Sequence, residues 1–154
     1  MQTLTLEISK KKIYQEVERT TSYIGAKIVD DVEAYQRIRT IDEDAVLLDR
    51  FWKETKAEFC NLLKEYLFSV EQTGEGAEEQ IEFKLRLSES WDSVLGDTMQ
   101  QDLFSFFVLN IIAKWFTLSN KAEAEGYKEA ACGILTEMHI NAIHKNKPMR
   151  PTYR

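Results

Sequence analysis

Proline is almost absent from this chain of 154 residues, because Pro148 and Pro151 both lie within the last seven positions. Proline removes a backbone hydrogen-bond donor and breaks helices, so the first 147 residues are free to form long uninterrupted helices. Cysteine is equally scarce, with two residues 72 positions apart. Cys60 and Cys132 each have apolar helical neighbours, which favours two buried free thiols over a disulfide.

Histidine is also limited to two residues, His139 and His144. On a helix, residues five apart point roughly 140° from one another, so these two cannot share a metal. Neither follows a glutamate by three positions, as the di-iron sites of helical bundles require. The chain further lacks a phosphate-cradling glycine loop and a recognisable nucleophile motif. The sequence therefore predicts no metal site, no cofactor and no enzymatic activity.

Long hydrophobic runs and a net positive charge are lacking as well. The most apolar stretch, Leu103 to Leu118, is interrupted by four polar residues, which predicts that it is too short and too polar to span a bilayer. The N-terminus does not have the pattern of a signal peptide, so we expect a cytoplasmic protein. The net charge of −6 includes four basic residues in the last ten, which leaves −10 on the body. An acidic body argues against nucleic-acid binding.

Two segments, at about residues 3–9 and 80–88, alternate apolar and polar side chains as strands do. An isolated strand cannot satisfy its backbone groups, so we expect these two to pair. Two helices between them return the chain to its starting end, which predicts an antiparallel pair. On its polar face, Glu7 is expected to oppose Lys84 or Arg86.

Helical spacing of apolar residues predicts four helices, with a further short segment at 30–39 that is ambiguous. The first begins near Lys11, and Gly25 is a point where it could end. The second runs from about Asp42 to Val70, with Thr40 and Glu43 as a capping box. The third runs from about Asp97, or from as early as Ser90, to Leu118, with Asp97 and Gln100 as its capping box. The fourth begins after Ser119 or Asn120.

The predicted fold class is α+β and predominantly helical: a four-helix up-and-down bundle with a two-stranded antiparallel β-ribbon. One domain is expected over residues 1–144, followed by a basic, proline-containing tail over 145–154.

The third helix is apolar nearly all round, which is typical of the most buried helix of a bundle. The preferred interpretation is that its aromatic residues pack in the core. The alternatives are that they line a ligand pocket or a subunit interface. These residues are Phe104, Phe106, Phe107, Trp115 and Phe116. The fourth helix carries a stripe of small residues, which faces either this aromatic helix or a neighbouring chain. The stripe consists of Ala122, Gly126, Ala130 and Gly133.

The tail is the candidate partner-binding segment. Two prolines favour an extended conformation, and a basic segment with one aromatic anchor suits an acidic groove such as the body of a neighbouring copy. The alternative is a free terminus. The candidate binding residues are Lys145, Lys147, Arg150, Tyr153 and Arg154.

Four phrases together resemble a family of small uncharacterised proteins from phages and prophages of anaerobic gut bacteria. They are TTSYIGAK (20–27), RTIDEDAVLLDRFW (39–52), LFSFFVLNIIAKWFTLSNK (103–121) and KNKPMRPTYR (145–154). This resemblance implies a non-enzymatic structural or assembly role, for example at the head–tail junction, with the protein itself or other virion proteins as partners. The alternative function is a small-molecule-binding or regulatory helical bundle, with its pocket between the aromatic helix and its neighbours.

Overall fold

The structure, a computed structural model, describes residues 1–27, 40 and 44–148. Within these residues the chain forms three β-strands and four α-helices, which confirms the predicted α+β, predominantly helical class. In chain order they are β1 (Gln2–Ser9), α1 (Lys10–Lys27), α2 (Ala45–Leu62), β2 (Leu67–Thr73), β3 (Gln80–Leu87), α3 (Gly96–Ser119) and α4 (Lys121–Ile143).

The strands form one antiparallel sheet in the order β1-β3-β2. The pairing of β1 with β3 confirms the antiparallel pair expected from the sequence. The expected partner of Glu7 is wrong, however, because Glu7 lies opposite Glu82, while Lys84 lies opposite Thr5. A strand's register is set by its buried face. Here the buried face places Leu6 opposite Phe83, and both side chains are fully buried. The pairing of residues on the polar face is fixed by this register.

The predicted two-stranded ribbon is corrected by β2, a third strand in a region where the sequence predicted the end of the second helix. That helix ends at Leu62 instead of continuing to Val70. The segment LFSVEQT then pairs with the second edge of β3, with an irregularity between Leu67 and Ser69. The apolar residues of this segment fit a helix pattern, but β-branched and aromatic residues also pack well on a sheet. Pairing with the free edge of β3 therefore decides that the segment forms a strand.

A tight connection between β2 and β3 makes this pairing possible. Gly74 adopts a φ of +76°, in the left-handed region that favours glycine. A Cβ atom at this position would lie 2.3 Å from the backbone oxygen of Glu78, so a side chain is excluded by contact as well as by conformation. The sequence identified this loop correctly through its two glycines, although it joins two strands instead of a helix and a strand.

The core lies between the inner face of the sheet and the helices, with α3 at its centre. Phe106, Phe107 and Phe116 are at most 1% exposed, which confirms core packing as the role of most of the aromatic run. The Phe107 ring lies 5.1 Å from the ring of Trp52 on α2, measured between centroids. The sheet joins the same core through Phe83, whose ring lies 4.7 Å from that of Phe59.

The start of α3 differs from the predicted capping box. The helix begins at Gly96, and no side chain caps it at Leu95; instead Asp92 accepts a hydrogen bond from the Val94 amide in the preceding turn. Gln100, the expected partner of Asp97, contacts β1. The segment Ser93–Ser119 is long and apolar enough to cross a membrane by length and composition alone, so the prediction of a stretch too short and too polar to do so is wrong on these two criteria. Just over half of its most apolar window, 56%, is buried in the fold, as in the core helix of a globular domain.

Helix α1 continues through Gly25 to Lys27. The ambiguous segment at 30–39 and the carboxylate half of the Thr40–Glu43 capping box lie outside the described residues. Thr40 itself is buried, and its backbone amide donates a 3.0 Å hydrogen bond to the hydroxyl of Thr21 on α1.

Candidate functional site

The predicted binding tail begins as part of the folded domain. Lys145 forms an antiparallel bridge with Trp91, and the Asn146 amide donates a 2.8 Å hydrogen bond to the carbonyl of Ser90. Trp91 is 3% exposed, and its indole N–H donates to the carbonyl of Asn141 on α4. The domain boundary predicted after residue 144 therefore cuts through a backbone pairing.

Of the candidate tail residues, the structure describes Lys145 and Lys147. Both side chains are exposed, and Lys145 lines an open groove of about 640 Å³ together with Tyr66, Arg86 and Glu89. The remaining candidates, Arg150, Tyr153 and Arg154, lie outside the described residues.

The small-residue stripe of α4 does not face the aromatic helix. Ala122, Gly126, Ala130 and Gly133 are all exposed, and a Cβ atom added at either glycine would meet nothing within 4 Å. The helix instead packs through a narrow face formed by Ala131, Met138 and Ala142. Of the two alternatives for this stripe, contact with α3 is excluded.

The two cysteines also differ from the sequence prediction. Cys132 lies on the exposed side of α4, and Cys60 on α2 is only half-buried, where burial raises the pKa of its thiol. The expectation of two buried thiols is therefore wrong for Cys132. A sequence pattern reports which residues are apolar but does not report which helix face is covered.

The histidines lie at separate places near the end of α4. The ring of His139 is 6.0 Å from that of Tyr66, and His144 Nε2 is 4.0 Å from an Asp92 oxygen. Over residues 1–27, 40 and 44–148, no group of three or more His, Cys, Asp or Glu side chains is placed to hold a metal ion.

A buried ionic cluster, which the sequence prediction missed, joins α1 to α2 and to the connection between β2 and β3. The Lys10 ammonium lies 2.9 Å from Asp49 and 3.1 Å from Glu79, and the Lys10 side chain is 6% exposed. The Tyr14 hydroxyl donates a 2.5 Å hydrogen bond to Asp49. A recess of about 340 Å³ adjoins the cluster. A signal was present in the sequence, because Lys10 stands three positions before Ile13, on the apolar face of its helix.

The cluster holds Lys10, Tyr14 and Asp49 each in one protonation state. Burial by itself would lower the pKa of Lys10, but its hydrogen bonds and ion pairs with Asp49 and Glu79 outweigh burial and raise it. Burial and the bond to Asp49 raise the pKa of Tyr14 far above its ordinary value. For Asp49, burial would raise the pKa, but the bonds from Tyr14 and Lys10 outweigh it and lower the pKa. Lys10 and Tyr14 therefore stay protonated and Asp49 stays ionised near neutral pH.

An open groove of about 530 Å³ runs beside α3, between α2 and α4. Lys114 lies 2.9 Å from Glu58 and 3.2 Å from Glu54 on α2. The Asn110 amide donates hydrogen bonds to Glu58 and Thr55, at 2.8 and 2.9 Å. The polar groups of this groove are thus largely engaged with one another, while Leu118 stays 65% exposed.

The two edges of the sheet differ. At β1, the Gln100 side chain accepts a 2.9 Å hydrogen bond from the Glu7 amide and donates a 2.6 Å bond to the Glu7 carbonyl, in the manner of a neighbouring strand. The other edge, β2, makes its main contacts with β3. Its residues Phe68 and Val70 are 43% and 38% exposed.

No protein-family model, no curated protein and no solved structure matches this chain.

Proposed function

We propose that this protein is a non-enzymatic structural or assembly protein of a phage or prophage. It associates with copies of itself or with other virion proteins, for example at the head–tail junction, and it acts in the host cytoplasm during assembly. The observation that carries the proposal is the outer edge of β2, which is an end strand of the sheet and has no strand paired beyond it within residues 1–27, 40 and 44–148. Apolar side chains lie beside it, and the opposite edge of the sheet is contacted by Gln100. A free strand edge is a template for pairing with another chain.

The protonation states of the buried cluster support a structural role. A lysine acts as a base or nucleophile when its pKa is lowered, and Lys10 has a raised pKa. A tyrosine acts as a base when its pKa falls, and that of Tyr14 is raised. The cluster therefore favours a fixed ion pair that ties α1 to α2 and to the β2–β3 connection.

Mass spectrometry of gradient-purified particles, produced after induction of a lysogen that carries this gene, tests the biological role. We expect the protein in virions or in assembly intermediates, at a stoichiometry shared with head or tail components. Its absence from both would overturn the proposal. The matched control is a soluble host protein of similar abundance, which must be lost on the same gradient.

Sedimentation of the full chain and of truncations after residues 148 and 144 tests the tail. If the basic tail docks on an acidic neighbour, removing residues 149–154 weakens association. High salt weakens it in the full chain, because exposed charges are screened over about 8 Å at physiological ionic strength. Truncation after 144 also removes the Asn146–Ser90 hydrogen bond, so its additional effect measures the attached part of the tail. Association that is unchanged by truncation and by salt would exclude the tail as a binding segment.

The second candidate is a small-molecule-binding or regulatory bundle with its four helices arranged up and down. The groove beside α3 favours it, because several hundred cubic ångströms with polar groups at one side suit a small ligand. Saturable binding of a small molecule that is abolished by Lys114→Met, with the same substitution at the exposed Lys121 as control, would support this function over assembly.

A further inference from the structure

The outward edge of β2 presents hydrogen-bonding groups whose positions follow from the register. Because Gln100 occupies both backbone groups of Glu7, the pair Glu7–Glu82 is not hydrogen-bonded between β1 and β3. In an antiparallel sheet the bonded and non-bonded positions alternate. The groups of Glu82 therefore point to β2 and bond Glu71, its partner there. The groups of Val70 and Gln72, on either side of Glu71, point outward.

Along most of its length this edge has few of the features that usually block pairing. Edge strands are commonly protected by proline, by lysine or by a bulge. The segment Leu67–Thr73 contains neither proline nor lysine, and its irregularity lies at one end, between Leu67 and Ser69. From Ser69 to Thr73 the register with β3 is regular. Val70, which shares the inner sheet face with its partner Phe83, is 38% exposed at the centre of the strand.

The outer face of the sheet carries a row of like charges that ends at this edge. Glu7, Glu82 and Glu71 lie directly opposite one another across the three strands. Like charges in opposing positions are destabilising. Lys84, in the next row, lies 3.4 Å from Glu82 and 3.6 Å from Glu71 and is the basic group that offsets this row.

We propose that β2 pairs antiparallel with β2 of a second copy, about a two-fold axis at Val70, so that two sheets join into one of six strands. This register is one of the few that place outward groups opposite each other. It pairs Val70 with the partner's Val70 and places Gln72 beside the partner's Phe68, where the irregularity between Leu67 and Ser69 interrupts the regular ladder. Because Val70 is the midpoint of Leu67–Thr73, this register also overlaps the strand along its whole length.

Charge selects the same register. Pairing about Val70 places Glu71 opposite the partner's Ser69, whose neighbour on the next strand is the partner's Lys84. The row of Glu7, Glu82 and Glu71 in one copy therefore continues into the row of the other copy that contains Lys84. A shift that moved the axis to Glu71 would place that carboxylate directly against the partner's Glu71. The inference deepens the proposed function by naming a second copy as the partner, and it rests on the self-association proposed there.

Val70→Pro in the full chain tests the pairing. The proline removes an N–H that points away from β3, so the bonds within the sheet persist, while the new ladder loses a donor from each copy. We expect dimerisation, measured by sedimentation equilibrium, to weaken about tenfold or more. Val70→Thr is the control, because it keeps the branched side chain and the N–H, and it should dimerise as the unchanged protein does. Val70→Lys is a second disrupting variant that brings two like charges together at the axis.

Charge reversal tests the register. Glu71→Lys should weaken the dimer, because it adds a positive charge to the row that contains the partner's Lys84, one strand beyond the partner's Ser69. The double variant Glu71→Lys with Lys84→Glu should restore the dimer. Far-ultraviolet circular dichroism and thermal unfolding of the dilute monomers identify any variant that fails to fold, and the remaining variants then decide the result.

Two findings about the unchanged protein would overturn this inference. One is that it is monomeric, and the other is that another segment of the same chain covers the edge of β2. Dimerisation that persists in both Val70→Pro and Val70→Lys would also overturn it and would place the self-association at another surface. In either case the protein could still be found in virions, so failure of the pairing is distinguishable from failure of the proposed function.

Discussion

Glu137 on α4 lies close enough to Asp102 on α3 for its charge, which has the same sign, to influence the ionisation of Asp102. Burial first, and then the charge of Glu137, raise the pKa of Asp102 above its ordinary value. One carboxyl oxygen of Asp102 is buried and has no hydrogen-bond partner within the described part of the chain. The ionised form of Asp102 is therefore disfavoured in the folded protein.

We expect Asp102→Asn to stabilise the protein by up to about 1 kcal/mol at neutral pH, because it removes an ionised group that is partly desolvated and repelled. An acid whose folded pKa is raised costs stability above its folded pKa and costs nothing once it is protonated in both states. The advantage of the variant should therefore vanish below about pH 3 and grow as pH rises past the ordinary aspartate pKa near 4. Thermal unfolding from pH 3 to 8 measures it.

The conservative control for this experiment is Glu137→Gln, which removes only the repelling charge. It should give a smaller gain with the same dependence on pH. A destabilised Asp102→Asn at neutral pH would show that the ionised carboxylate is favoured where it lies.

The Gln100–Glu7 contact predicts that Gln100→Glu is destabilising. A carboxylate cannot donate to the Glu7 carbonyl, so one of the two hydrogen bonds is lost, at a cost of about 1 kcal/mol. Gln101→Glu makes the same chemical change at an exposed position on the same helix and should leave the unfolding free energy almost unchanged. Equal effects of the two substitutions in urea unfolding would show that the edge contact contributes nothing.

Removal of the buried ammonium by Lys10→Met should cost about 3 kcal/mol, near the lower end for a broken buried ion pair. The lower end applies because Asp49 is 43% exposed, so water solvates part of the remaining charge. Lys11→Met, at a lysine that is 58% exposed and 4.0 Å from Glu78, is the matched control and should cost less than about 0.5 kcal/mol. A loss as small as that of the control would mean that the cluster is solvated.

The same cluster predicts how this difference varies with acid. The folded pKa of Asp49 is lowered, so its stabilising contribution is present above the unfolded pKa and is lost as pH falls through the folded value. The unfolding free energies of the unchanged protein and of Lys10→Met should therefore converge progressively as pH falls below the ordinary aspartate pKa near 4. A constant difference down to pH 2 would assign the effect to the packing of the lysine side chain.

Thiol labelling should proceed in two phases. Cys132 is exposed and should react quickly, whereas Cys60 is half-buried, with a raised pKa that reduces its thiolate fraction. Cys132→Ser should remove the fast phase and leave the slow one. A fast phase that survived in this variant would show that Cys60 is accessible.

Local pattern was sufficient where one periodicity dominated. The alternation IEFKLRL predicts β3 with its buried face, and the aromatic run of α3 predicts the central helix, because burial of apolar area decides both. The same reasoning predicted the β1–β3 pair from the need to satisfy backbone groups. Fold class was therefore determined by the sequence alone.

The tertiary structure decided which of several compatible roles each remaining segment takes. LFSVEQT fits a helix end or a strand, and it is a strand because β3 has a second edge to fill. Gln100 fits a capping box, but it bonds Glu7 on an edge strand that only the assembled sheet brings near. The small-residue stripe of α4 and Cys132 are exposed because α4 packs through a narrow face. Hydrogen-bond partners and covered faces are distant in sequence, so only the three-dimensional arrangement selects among them.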